Sequence, residues 1–250
     1  MLALKLLLVP AFLALLTLAG RLFGPGIAGW LAGLPLVAGP ILLVLALENG
    51  GAFAARAATA TVAAVLALVS YSLAYAHVAQ RAGWPLALAA GAAAWAAVAA
   101  AVALASPGLG TALALALATL VVAPRLFPKV RPEASGRFSG AELLLRMAAG
   151  ALLTLAVAAA AAAAHIGSTW SGLFALFPVL GSVLAVFSHR NSGAGHAATL
   201  LQGMSRGLVS LVAFCATAAW LLPSRPPTVA FGVAVAACLA TQLATMRRAS

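Results

Sequence analysis

The chain has very few groups that carry acid–base chemistry. Its 250 residues include no aspartate, and its only carboxylate side chains are Glu48, Glu133 and Glu142. Paired carboxylates for general acid–base catalysis and an HExxH zinc motif are therefore excluded. No GxSxG context for a nucleophilic serine occurs either. We therefore predict no enzyme activity and no catalytic residues.

Cysteine is also scarce. Cys215 and Cys238 are the only two, and both lie in apolar segments without the spacing of metal ligands. We interpret them as small buried hydrophobic residues rather than as a disulfide or a zinc site. The sequence predicts no metal and no cofactor.

Charge of either sign is rare, and long apolar runs take its place. Only 7% of the residues are charged, whereas a soluble domain carries about a quarter. The hydrophobic share is 65% and the mean hydropathy is +1.14. Apolar runs long enough to cross about 30 Å of hydrocarbon as helix recur along the chain. The predicted fold is an all-α, polytopic transmembrane helical bundle.

The apolar runs predict about nine helices in two halves. Residues 1–124 form the first membrane half, with about five helices. Residues 125–140 form a basic, proline-rich linker. Residues 141–250 form the second half, with about four helices, and Ser139 with Glu142 matches a capping box before its first helix.

The basic residues indicate orientation rather than a nucleic-acid partner. The net charge is +11, but the lysines and arginines are spread over the ends of apolar runs instead of forming one patch. We place the linker, which contains Arg125 and Lys129, in the cytoplasm together with Arg190 and the C-terminus. Lys5 and Arg225 are on the opposite side and do not follow this rule.

A stretch from Gly172 to Arg206 stands out, because an apolar run broken by Pro178 leads into a polar, glycine-rich turn. A fainter copy runs from Gly29 to Arg56, with Pro35 in the place of Pro178. The copies begin five predicted helices apart, which is an odd number. Their polar turns therefore face opposite sides of the membrane, and the pattern predicts an inverted internal repeat.

Inverted repeats are typical of secondary transporters, in which matched proline- or glycine-interrupted helices mark the binding site. For a single proline, a simple kink between packed helices remains an alternative. We also expect the polar residues of both turns to contribute to a substrate-binding site. The predicted substrate-binding residues are Glu48, Asn49, Arg56, His189, Arg190, His196, Arg206, Pro35 and Pro178.

Two readings of these polar residues stay open. Cations beside a glycine-rich turn can hold a phosphate or carboxylate. Alternatively, Arg190 belongs to an ordinary cytoplasmic loop, Arg206 extends to the membrane surface, and Glu48 and Arg56 form a surface ion pair. Neither reading involves a metal site.

The segment GLFALFPVLGSVLAVFSHR resembles the GlpM-type family of small bacterial inner-membrane proteins, in which a Gly-Leu-x-x-x-Phe-Pro helix is followed by a histidine. The matching residues are Gly172, Leu173, Phe177, Pro178 and His189. The resemblance implies a bacterial inner-membrane location and a link to cell-envelope production. It implies no mechanism.

Two functions remain at this stage. The first is a small secondary transporter or lipid-linked flippase for an anionic cargo, with membrane lipids as its surroundings. The second is a non-transporting membrane scaffold or accessory component of cell-envelope synthesis.

Overall fold

The computed structural model describes residues 2–130, 140–163 and 177–246. Within these ranges the chain is all helical, with nine helices and no strand. The helices are α1 Leu2–Phe23, α2 Pro25–Ala32, α3 Ala38–Asn49, α4 Gly51–Ala79, α5 Trp84–Ala105, α6 Leu109–Leu126, α7 Gly140–Ala163, α8 Val179–Leu221 and α9 Pro227–Met246. Seven of them are long and apolar enough to cross a membrane, which makes this a multi-pass membrane protein.

Two predicted elements differ from the observed ones. The second predicted helix, residues 27–47, is split into α2 and α3 by a break at residues 33–37. The predicted polar turn after His189 is not a loop, because helix continues on both sides of Gly193. We call residues 179–192 and 194–221 the first and second arms of α8. The predicted cap residue Ser139 lies outside the described residues.

Single glycines join several of these helices. Gly24, Gly50 and Gly193 have φ values of 88°, 82° and 83°, a conformation that other residues rarely adopt. At the first of these corners the chain folds back sharply, since a Cβ at Gly20 would lie 3.2 Å from the Cβ of Ala28. One residue therefore suffices to redirect the chain from one helix to the next.

The corners at Gly50 and Gly193 lie at opposite ends of α4. Its first residue, Gly51, lies against the carbonyl oxygen of Leu222, just after the second arm of α8. Near its other end, the hydroxyl of Tyr75 lies 3.4 Å from Nδ1 of His189, on the first arm. At 1.5 Å per residue, about 36 Å of helix separates the two contacts. The polar residues beside each corner are therefore far apart.

The second arm of α8 is central to the packing, and α2 lies directly on it. A Cβ at Gly33 would be 2.5 Å from the backbone carbon of Gly207. A Cβ at Gly29 would meet the carbonyl of Leu200. Glycine on both surfaces thus lets the two backbones touch, which is how helices gain contact in lipid, where the hydrophobic effect contributes little.

Four helices of the first half have described counterparts at an interval of 143 residues. Moved by that interval, α3 and α4 would span 181–192 and 194–222. Those ranges coincide with the two arms of α8, which ends at Leu221. Moved in the same way, α1 and α5 overlap α7 and α9. The α6 helix has no counterpart in the described part of the chain.

Candidate functional site

Pro35 and Pro178 shape the backbone in the same way. The amide of Leu36 donates to the carbonyl of Leu34 at 2.8 Å, and the amide of Val179 donates to the carbonyl of Phe177 at 2.7 Å. Each bond closes a three-residue γ-turn centred on the proline, and Pro178 has φ −75° and ψ 51°, close to the ideal values. In both places the proline carbonyl then accepts the amide four residues further on. We call these two proline turns the first and second breaks; the first separates α2 from α3, and the second directly precedes α8. They are equivalent in hydrogen bonding as well as in sequence.

Both breaks line one apolar cavity of about 80 Å³. The first break contributes residues 32–34, 37 and 38, and the second contributes residues 177–181. The walls come from Val9, Leu68, Thr154, Met204, Leu208 and Leu211. The Thr154 hydroxyl is already bonded to the carbonyl of Gly150, at 2.7 Å. The cavity therefore offers mainly apolar surface to an occupant.

A second cavity, of about 60 Å³, is polar. Helices α1, α2 and α7 and both arms of α8 contribute to it. Its polar side chains include Thr17, Arg21, Glu142, Arg146, Ser188, Asn191 and His196. Four of these residues, Thr17, Arg146, Ser188 and His196, are buried. Buried polar groups among membrane helices are costly and mark functional sites more often than chance.

Arg146 is the charged centre of this polar cavity. It is 9% exposed, although it lies in a helix that can cross the membrane. Its Nη2 donates to Oε1 of Glu142, one helical turn earlier, and its Nη1 donates to the Thr17 hydroxyl at 3.3 Å. The guanidinium also lies over the ring of Phe187, 5.3 Å from its centre. Its Nε is buried and has no hydrogen-bond partner among the described residues.

Of the four predicted site residues between His189 and Arg206, only one lines the polar cavity. His189 is half-buried and contacts Tyr75. Arg190 is exposed, and its guanidinium lies 5.9 Å from the ring centre of Trp84. Arg206 is exposed on the second arm. None of these three lines the polar cavity, whereas His196 does.

The predicted residues of the other turn lie near Gly50. Glu48, Asn49 and Arg56 are all exposed. Within the described part of the chain, no ion pair joins Glu48 to Arg56. Because this corner is at the far end of α4 from His189, the two groups of predicted residues do not form one site.

Pro35 and Pro178 are the predicted residues that the structure does bring together, through the breaks that they form around the apolar cavity. Pro178 is itself a lining residue, and Pro35 is half-buried beside Gly39. Both prolines set the local backbone path, and neither has an amide hydrogen to donate.

Sequence reasoning missed Arg146 and Thr17 and assigned Glu142 to a helix cap. The structure pairs the Glu142 side chain with Arg146. The capping box stays a prediction, because Ser139 lies outside the described residues. A signal for this pair was available, because Glu142 and Arg146 are four residues apart at the start of an otherwise apolar helix. An arginine inside such a run needs a partner, and the nearest carboxylate supplies it.

The described residues contain no group of three or more histidine, cysteine or acidic side chains arranged to hold a metal ion. Comparison of the chain with protein-family models, curated proteins and solved structures found no match. The resemblance to the GlpM-type family therefore stays a prediction, and two of its residues, Gly172 and Leu173, lie outside the described ranges.

Proposed function

We propose that this protein is a small transporter or flippase for an anionic cargo, built on an inverted repeat, in a bacterial inner membrane with its C-terminus in the cytoplasm. The observation that carries the proposal is the pair of equivalent breaks, at Pro35 and Pro178, that line a single cavity. Broken helices that meet at a shared cavity are the usual construction of a binding site in secondary transporters.

The positions of the two glycine corners support the inversion. Gly50 and Gly193 occupy matching places in the two halves but opposite ends of α4. A repeat inverted about an axis in the membrane plane has this arrangement. Movement of one half against the other would then open the cavity alternately to the two sides.

The polar cavity supports an anionic cargo. Among the described residues that line it, two are arginines, Arg21 and Arg146, and one is a carboxylate, Glu142, while Ser188 and Asn191 add neutral polar groups. Guanidinium groups bind phosphate and carboxylate through charge-assisted hydrogen bonds. The scaffold alternative requires no polar cavity between the helices, so this feature favours transport.

Reconstitution into liposomes tests the proposal. One assay measures dithionite quenching of an NBD-labelled anionic lipid, phosphatidylglycerol, with NBD-phosphatidylcholine as the neutral comparison. A second assay records currents on solid-supported membranes after jumps in phosphate, succinate or lactate. We expect the protein to accelerate movement of at least one anion over protein-free liposomes.

A matched pair of variants links that movement to the cavity. Thr154→Trp fills the apolar cavity, whereas Leu155→Trp places the same ring on the exposed face of the same helix. We expect only the first to abolish transport. Rates equal to those of protein-free liposomes for every lipid and anion would refute transport and leave the scaffold function.

A further inference from the structure

The apolar and polar cavities are lined by the same helices, at two different heights. On α1 the polar cavity is lined by Thr17 and the apolar one by Val9, eight residues away. On α7 the corresponding residues are Arg146 and Thr154, again eight apart. At 1.5 Å per residue, the residue at the polar cavity and the residue at the apolar cavity are about 12 Å apart along each helix. We call these two heights the polar level and the apolar level.

The two arms of α8 repeat this arrangement. On the first arm Ser188 lines the polar cavity and Gly181 the apolar one. On the second arm His196 lines the polar cavity and Met204 the apolar one, eight residues further along. All four helical segments thus change from polar to apolar in the same direction and over nearly the same distance.

The polar level is the one nearer to two of the glycine corners, Gly24 and Gly193. It includes Gly20 and Pro25, on either side of the Gly24 corner, and Asn191, two residues before the Gly193 corner. The exposed Arg21 is at this level as well. A molecule that reached both cavities would have its polar end toward the membrane surface and its apolar end toward the interior, as a lipid does.

We propose that the ligand of this site is an amphipathic anion, with a phosphate or carboxylate head at Arg146 and a single hydrocarbon chain in the apolar cavity. The proposal rests on the proposed function and specifies the class of its cargo. The head would accept from the buried Nε of Arg146, which has no hydrogen-bond partner among the described residues. It would also compete with Glu142 for the remaining guanidinium nitrogens.

Neighbouring polar groups determine how tightly such a head is held. The Thr17 hydroxyl and the cavity-lining Ser188 and Asn191 supply neutral hydrogen-bonding groups at the same level. The Glu142 carboxylate opposes binding, and the Arg21 guanidinium favours it.

Equilibrium binding to the purified, detergent-solubilised protein tests the proposal with three probes. Farnesyl phosphate has both parts of the proposed ligand, inorganic phosphate has the head alone, and farnesol has the chain alone. Microscale thermophoresis gives a Kd for each. We expect farnesyl phosphate to bind at least about tenfold more tightly than either of the others, since each part contributes an independent interaction.

Variants assign the two parts to the two cavities. Arg146→Gln should weaken farnesyl phosphate binding about tenfold or more, because a charge-assisted hydrogen bond is lost. Arg81→Gln removes the same charge at an exposed position just after α4 and should leave the Kd unchanged. Thr154→Trp should also weaken binding, and Leu155→Trp should not.

If Arg146→Gln does not fold, Arg146→Lys and Thr17→Val provide the same test with smaller changes. Equal Kd values for farnesyl phosphate and either fragment would overturn the proposal, as would undetectable binding of farnesyl phosphate. Binding without transport in liposomes would contradict the proposed function but support this site. Transport of water-soluble anions without farnesyl phosphate binding would support the proposed function and contradict this site.

Discussion

Gly50 and Gly193 have nearly the same backbone conformation, with φ and ψ of 82° and 163° at the first and 83° and 170° at the second. This combination is essentially restricted to glycine. Each residue ends one helix and is followed at once by another, so each acts as a one-residue corner. The corners stand 143 residues apart in the chain, which is the same interval that separates Pro35 from Pro178.

A first prediction concerns these corners. Gly50→Ala and Gly193→Ala should each lower the free energy of unfolding by about 1–2 kcal/mol, because alanine is strained at positive φ. At Gly50 the cost is purely conformational, since nothing lies within 4 Å of an added Cβ. Thermal stability can be followed in detergent by size-exclusion chromatography after heating.

Gly110→Ala is the matched control for that measurement. Gly110 also has open space around an added Cβ, but it lies inside α6 and is not among the positive-φ glycines. Alanine there should raise stability by up to about 1 kcal/mol because it favours helix. Corner variants as stable as the control would show that these glycines are not needed for the turns.

The general fold could be predicted from the sequence because membrane helices leave a strong signal. Length and apolarity identify each long span, and the match between Pro35 and Pro178 pointed to the two breaks. What could not be predicted is that the polar segment from His189 to Gly195 is helical. A sequence containing His189 and Gly195 suggests a loop, yet the described chain is helical on both sides of Gly193. Packing in the core overrides the low helix propensity of its glycines.

A second prediction concerns the contact between α2 and the second arm of α8. Gly207→Ala should destabilise the protein by more than 2 kcal/mol, because its Cβ would meet the carbonyl of Trp30, which is backbone and cannot move aside cheaply. Gly33→Ala should act alike. Gly232→Ala, in α9, has open space and serves as the control. The measurement is the apparent melting temperature of the three variants. Similar values for all three would show that the helices are not in close contact.

A third prediction concerns the ion pair between half-buried Glu142 and buried Arg146. Glu142→Leu should destabilise the protein by about 3 kcal/mol, because it leaves the arginine buried without its carboxylate. The double variant Glu142→Leu with Arg146→Leu should recover most of that loss, since no unpaired charge remains. A double-mutant cycle in apparent melting temperature measures the coupling. A double variant less stable than either single one would show that the two side chains act independently.

The candidate site was harder to predict than the fold. The most conspicuous polar residues of the sequence, such as Arg190 and Arg206, are exposed, whereas Arg146 is buried. Composition shows that charges are few but does not show which way each faces. That depends on how α7 packs against α1 and α8, and in a chain so rich in alanine and leucine no periodic pattern specifies the facing side.

The last prediction concerns the sides of the membrane on which the two polar corners lie. Asn49 and Asn191 are both exposed and lie one residue before Gly50 and two residues before Gly193 respectively. If the halves are inverted, a cysteine at Asn49 is labelled in intact cells by a membrane-impermeant maleimide, and one at Asn191 only after permeabilisation. The native Cys215 and Cys238 are 0% and 4% exposed and can be replaced by alanine to remove background.

Two further positions calibrate this labelling. Ser224 is exposed and follows Leu222, which contacts the start of α4, so a cysteine there should behave like one at Asn49. Gln80 is exposed at the other end of α4 and should behave like Asn191. Labelling of Asn49→Cys and Asn191→Cys from the same side would contradict the inverted repeat, because one long helix separates the two corners. Opposite labelling that agrees with both calibrating positions would establish the sidedness on which alternating access depends.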